Sequence, residues 1–135
     1  MKRTFADTFF FLALENPRDE AHQTALSASG QRAGQLVTTQ WVLMEVADAF
    51  AAPGSRQRFL NLLTALQSDP DVVIVPADDG LFQRGVELYR QRPDKDWPLT
   101  DCVSFVVMQD QDIREALTGD VHFEQAGFVA LLAKK

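Results

Sequence analysis

Apolar positions change their period repeatedly along the chain, and those changes mark out the elements. Residues 2–6 read as a first strand that ends at Asp7. A helical stretch follows through Leu14 and breaks at Asn16-Pro17, because proline disfavours helix at the residue before it. Residues 19–32 form a polar helical pattern closed by Gly30 and Gly34, the first placed as a C-cap. Leu36-Val37-Thr38 is a short strand. Thr39 is an N-cap for a helix over residues 40–52 whose apolar stripe is Trp41, Met44, Val46, Ala49 and Phe50. Ser55, after the turn Pro53-Gly54, caps a helix to Leu66 with Phe59, Leu60, Leu62, Leu63 and Leu66 inward. Val72-Val73-Ile74-Val75 is continuous and β-branched, which suits a strand buried on both faces of a parallel sheet. Asp78-Asp79 caps a helix to Arg90, and a loop with two prolines leads to Thr100, the cap of a helix over residues 101–109. Residues 113–117 read as a strand reaching Thr118-Gly119-Asp120. A short helical turn through Gln125 and then Gly127 lead to a last strand over residues 128–132. Strands and helices alternate throughout, which predicts an α/β fold with a mostly parallel sheet.

Composition narrows the class. The 135 residues are 46% hydrophobic and 24% charged, which suits one globular domain and excludes a disordered tail, a collagen-like fibre or a disulfide-stapled miniprotein. A single cysteine, Cys102, forms no internal disulfide and asks for no oxidising compartment. The longest apolar runs fall far short of the ~20 residues that cross a bilayer. Met1-Lys2-Arg3 imitates a signal-peptide start, but Asp7 interrupts the apolar run after it, so a cytoplasmic protein is expected. The charge balance of 13 Lys+Arg against 19 Asp+Glu, a formal −6, excludes a protein that coats nucleic acid electrostatically. To handle nucleic acid, such a chain needs a local source of positive charge, and a divalent cation is the obvious one.

In open parallel sheets, ligands bind beyond the carboxyl ends of the strands, where the strand order reverses. Asp7 and Asp120 directly follow the first and fourth strands. Glu45 lies between one and two turns into the helix after the second strand, and Asp101 opens the helix before the fourth. At ~5 Å and an effective dielectric of ~20, each pair of such carboxylates repels by about 3 kcal/mol, so the cluster must hold protons or a cation. Carboxylate oxygens without a sulfur or imidazole cage suit Mg2+ or Mn2+. Spacing by itself also leaves an ordinary capping role open, since acids favour helix first turns.

The residues around these acids are more specific. Phe5-Ala6-Asp7-Thr8 closes the first strand, and Leu36-Val37-Thr38-Thr39-Gln40-Trp41-Val42 leads to Glu45. Asp94-Lys95-Asp96-Trp97-Pro98-Leu99-Thr100-Asp101-Cys102-Val103-Ser104-Phe105 surrounds the third acid. Leu117-Thr118-Gly119-Asp120-Val121-His122-Phe123 carries the fourth and closes on Ala126-Gly127-Phe128. In this order, over nearly the whole chain, they resemble a PIN domain of the VapC-like kind; the third and fourth segments are the specific ones. The resemblance implies one PIN-like nuclease domain over residues 1–135, with a mostly parallel five-stranded sheet flanked by helices. It implies a metal-dependent endoribonuclease that hydrolyses RNA phosphodiester bonds. Asp7, Glu45, Asp101 and Asp120 would be both its catalytic acids and its ligands for one or two Mg2+ or Mn2+ ions, with Thr8 and Thr118 as hydroxyls that orient carboxylates or water. RNA as substrate, a type II toxin with a cognate antitoxin, a homodimer and no membrane association are further implications. Two departures stand out: Pro98 replaces a serine often found there, and the site offers no obvious lysine, which leaves phosphate contacts to arginines.

Other residues carry lesser expectations. His122 is read as a structural hydrogen-bonding residue near the fourth acid, and His22 as solvent-exposed. Two histidines and one cysteine cannot build a structural zinc site. Cys102 and Trp41 are read as core residues, and Trp97 as the better ring for stacking on a base. Arg84, Arg90 and Arg92 are either a basic rim or a solvated face, and Asp48 points outward. Phe9, Phe10 and Phe11 exceed what one helix face buries, which offers a dimer or antitoxin contact or else core packing. A haloacid-dehalogenase phosphatase is excluded because Phe9 stands where its general acid belongs, and a receiver domain because Asp7 has no acidic neighbour. The remaining alternative is a catalytically silent PIN scaffold that binds RNA or a protein partner. Retention of four mutually repelling acids argues against it.

Overall fold

Five short strands, all parallel, run through the middle of the computed structural model, which describes residues 2–31 and 33–134. In chain order the elements are β1 (Arg3–Ala6), α1 (Thr8–Glu15), α2 (His22–Gln31), β2 (Gln35–Thr39), α3 (Gln40–Ala49) and α4 (Arg56–Ser68). There follow β3 (Val72–Val75), α5 (Asp79–Gln91), α6 (Leu99–Asp110), β4 (Glu115–Leu117), α7 (Val121–Gln125) and β5 (Val129–Ala130). The strand order is β3-β2-β1-β4-β5. The chain builds outward from β1 to one side, then crosses over and builds outward on the other. Phe5 pairs with both Val37 of β2 and Ala116 of β4. The order therefore reverses at β1, and the crevice beyond the carboxyl ends of β1 and β4 is the place where such sheets bind ligands.

The core lies on both sides of β1. Phe5, Phe11, Val37, Val42, Val46, Phe105, Met108 and Phe123 are almost fully buried. Helix α6 is covered all round, with every residue from Asp101 to Met108 buried, as suits a helix at the centre of the molecule. Rings link it to its neighbours: Phe105 packs edge-to-face on Trp97 and on Phe123, with centroids 5.1 and 4.9 Å away. No described helix is long and apolar enough to cross a membrane.

Several sequence expectations are corrected here. Val72–Val75 is an edge strand and only half-buried, because β2 flanks it on one side alone. Helix α2 runs through Gly30, and the left-handed turn falls instead at Gly34, with φ of 83°. A Cβ there would lie 2.1 Å from the Lys2 carbonyl oxygen, to which Gln35 N–H donates as β2 enters the sheet. Arg32, the expected end of that helix, lies outside the described residues. Thr39 caps α3 as expected, accepting from Val42 N–H, and Asp78 likewise caps α5 from Leu81 N–H. Ser55 precedes α4 without a side-chain cap, and α6 starts two residues early, at Leu99 after Pro98. Met44, Ala49 and Leu60 are exposed rather than inward. His22 is half-buried and its Nδ1 lies 2.8 Å from the Ala13 carbonyl, tying α2 to α1. Phe10 and Phe11 are core residues and Phe9 is half-buried with its ring against Gly119, so the aromatic triplet is absorbed by the chain's own packing.

Candidate active site

Asp7 is the residue that joins β1 to α1. Its backbone is extended, and its N–H reaches across to the Leu117 carbonyl of β4. Its side chain is 4% exposed. Thr118 Oγ1, just beyond β4, donates to Asp7 Oδ2 at 3.0 Å and accepts from Asp120 N–H at 3.0 Å. One hydroxyl therefore fixes the acid after β1 and the backbone of the acid after β4. Asp120 caps α7 by accepting from His122 N–H at 2.9 Å. Asp101 sits in the first turn of α6, 6% exposed, and its Oδ2 lies 3.0 Å from His122 Nδ1. The same nitrogen is 3.2 Å from Asp120 Oδ1. Glu45, on α3, accepts from Thr8 Oγ1 at 2.7 Å.

The four acids feel one another. Burial pushes Asp7 up from the usual carboxylate range to about 6; the Thr118 and Thr8 hydrogen bonds oppose this, and the charges of Asp120 and Glu45 add to it. Burial likewise drives Asp101 to about 7, with the Asp7 and Asp120 charges adding and His122 opposing. Among the described residues, no lysine or arginine hydrogen-bonds or ion-pairs with any of the four. Buried carboxylates without a cationic partner fit a divalent cation. Asp101, Asp120 and His122 each offer a ligand atom, and those atoms lie within 4.8 Å of one another. The donors are mostly hard oxygens, which suits Mg2+ or Mn2+.

Hydrogen bonds and mutual charge effects thus tie Asp7, Glu45, Asp101, Asp120, Thr8 and Thr118 together beyond the strand ends. Among the described residues, the tight cluster of possible ligand atoms comprises Asp101, Asp120 and His122, without Asp7 or Glu45. For His122 the sequence predicts only a structural bond. That bond exists, but its partner is a site acid. The signal was the spacing from Asp120, which puts a helix cap and an imidazole within one turn. Trp97 is corrected: it is 5% exposed, with Nε1–H bound to Gln125 Oε1, and offers no face for a base. Arg84 leaves the basic rim, because both its terminal nitrogens are held by Asp110 at the far end of α6. Arg90 pairs with Glu87 and Arg92 with Asp94. Cys102 is a buried core thiol, and Asp48 is exposed.

A doubly wound parallel sheet with acids converging at its reversal point is the architecture of the PIN domain, and the PIN domain family model matches residues 4–129. The chain belongs to that family. The 23S rRNA-specific endonuclease VapC20 of Mycobacterium tuberculosis is 29% identical over 126 residues, covering 93% of this chain and 95% of the relative. The crystal structure of M. tuberculosis VapC20, described as a Sarcin-Ricin loop cleaving toxin, superposes with a TM-score of 0.84. It is 25% identical and spans 93% of this chain and 96% of that one. A toxin–antitoxin complex from Klebsiella pneumoniae shares the fold, with a TM-score of 0.63 at 19% identity and 87% of each chain covered.

Proposed function

We propose that the chain is a Mg2+- or Mn2+-dependent endoribonuclease of the VapC kind, a cytoplasmic toxin with structured RNA as substrate and a cognate antitoxin as partner. The observation that carries this is the convergence of four carboxylates, two of them buried, where the strand order reverses. The VapC20 relative is named for 23S rRNA, which makes ribosomal RNA the first substrate to offer.

Asp7, Asp101 and Asp120 would hold the cation, with His122 in reach of the last two. When bound, the cation supplies the positive charge that admits a phosphodiester and lowers the pKa of an attacking water. Thr118 keeps the Asp7 carboxylate turned toward the crevice, and His122 does the same for Asp101. Glu45, steadied by the Thr8 hydroxyl, either coordinates through water or accepts the nucleophile's proton.

Purified protein with Mg2+ or Mn2+ is expected to cut ribosomal RNA, and EDTA to stop it. Asp7→Asn should reduce cleavage by at least about 100-fold while the far-UV CD spectrum stays native. Undiminished turnover by that variant would sink the assignment. A silent scaffold would instead bind RNA without cutting it under any metal. The homodimer implied by the resemblance is checked by sedimentation velocity, where a 15.1 kDa chain should run as a two-chain species.

A further inference from the structure

A groove of about 830 Å3 runs beside the first turn of α6, walled chiefly by Tyr89, Arg90, Arg92, Lys95, Asp96, Trp97 and Leu99. None of the four acids lines it, and it lies across the first turn of α6 from the acid crevice. Leu99 stands two residues before Asp101 on the same helix, and Trp97 is hydrogen-bonded to Gln125 of α7, the helix that carries His122. The groove therefore opens on the flank of the helix that presents the third acid.

Its chemistry differs from that of the crevice. Arg90, Arg92 and Lys95 stand against one lining acid, Asp96, so the walls are net positive in a chain whose net charge is −6, although Arg90 is paired with Glu87 and Arg92 with Asp94. The Arg92 guanidinium lies 5.0 Å from the centroid of the Trp97 ring and forks onto Asp94 through two 3.0 Å bonds. Trp97 is itself pinned by Gln125 and Phe105, so Arg92 rests on a fixed platform. The ion pair with Asp94 is largely exposed, and exposed pairs of this kind hold weakly. A phosphate oxygen can replace Asp94 on the same fork. Tyr89 is 54% exposed and is the free ring of the groove.

We propose that this groove holds the RNA on one side of the scissile phosphate as a single strand: Tyr89 stacks on an unpaired base while Arg92 and Lys95 hold backbone phosphates. This rests on the ribonuclease reading above. A duplex hides the base faces that Tyr89 needs, so the strand must be unpaired here.

The test uses full-length protein carrying Asp7→Asn and a labelled single-stranded RNA oligonucleotide, followed by fluorescence anisotropy across a salt series. Tyr89→Ala should weaken binding about five- to a hundred-fold, and Tyr89→Trp should restore it. Arg92→Gln and Lys95→Gln should each flatten the plot of log affinity against log salt by about 0.7. Arg84→Gln, locked to Asp110 far from the groove, should change neither. With Asp7 intact, Tyr89→Ala should raise KM and leave kcat close to its starting value. Unchanged affinity and slope in natively folded Tyr89→Ala and Lys95→Gln would overturn the proposal. If the unmodified protein cuts RNA while these variants bind and cut equally well, the groove assignment falls and the ribonuclease reading stands. If nothing is cut under any metal but RNA binding still depends on Tyr89, the groove stands and the nuclease reading falls. If Tyr89→Ala turns a dimer into a monomer with RNA affinity unchanged, the face joins two copies of the chain and the proposal is wrong.

Discussion

Asp7 and Asp101 are ionisable groups held where ionisation is costly, and the protein gives up stability for that. A carboxyl whose folded pKa lies above its unfolded value contributes stability that is fully present below about pH 4, and that stability is lost as pH rises through the folded pKa. With Asp7 at about 6 and Asp101 at about 7, the loss for the metal-free protein falls between about pH 4 and 7. Asp94 and Asp110 are held low by arginines and act in the opposite sense, but only in the acid range and at exposed positions. The melting temperature of EDTA-treated protein is therefore expected to fall as pH is raised from 5 to about 7.5. Mn2+ should restore it more strongly at the higher pH, because the ligands must shed protons to bind. A thermal melt at each pH with and without Mn2+ checks both signs. Asp7→Asn removes the ionisation cost and keeps an oxygen for the Thr118 hydroxyl. It should stabilise metal-free protein at neutral pH by up to about 3 kcal/mol, from roughly two pKa units at 1.36 kcal/mol each. Urea unfolding in EDTA measures this, and a destabilised variant would mean that Asp7 is ionised at little cost.

Two glycines show how differently one residue type serves two helices. Gly85, buried in α5, faces α6: a Cβ there would lie 2.4 Å from Val103 Cγ2, a stiff, buried, β-branched side chain. Gly85→Ala should thus cost about 1–3 kcal/mol despite alanine's better helix propensity. Gly30 meets nothing within 4 Å and lies inside α2, so Gly30→Ala should gain about 0.5–1 kcal/mol. Urea midpoints for the pair distinguish the two cases, and a stabilised Gly85→Ala would show that α6 can move aside. The contrast also shows where the sequence was legible. Alternation of strands and helices, the Thr39 and Asp78 caps and the placing of acids after strands are local signals, and local chemistry decides them. Whether Val72–Val75 is central or at an edge depends on how the chain crosses the sheet, which no run of β-branched residues encodes. Met44 and Leu60 fit the apolar period of their helices yet face outward, because the sheet covers only part of each stripe. Trp97 lies in a proline-rich loop, which suggests exposure, but Phe105 and Gln125 from distant segments enclose it.

For the whole molecule, β1 at the centre of the sheet joins both wings through one backbone, so the chain should unfold as one cooperative unit. Trp41 lies on α3, beside the β2–β3 wing, and Trp97 packs against α6 and α7 by the other. Their fluorescence transitions in urea, separated with Trp41→Phe and Trp97→Phe, should coincide with each other and with the loss of far-UV CD. Two separate midpoints would mean that the wings fold apart. The Thr118–Asp7 hydrogen bond spans 111 positions of sequence, and it closes the site. During synthesis, Asp7 emerges early and must wait for β4 to be made and docked before its carboxylate has a fixed partner. Closing so long a loop is slow compared with forming the helices in between. However early its first acid is made, a growing chain therefore has no closed site until β4 arrives and docks.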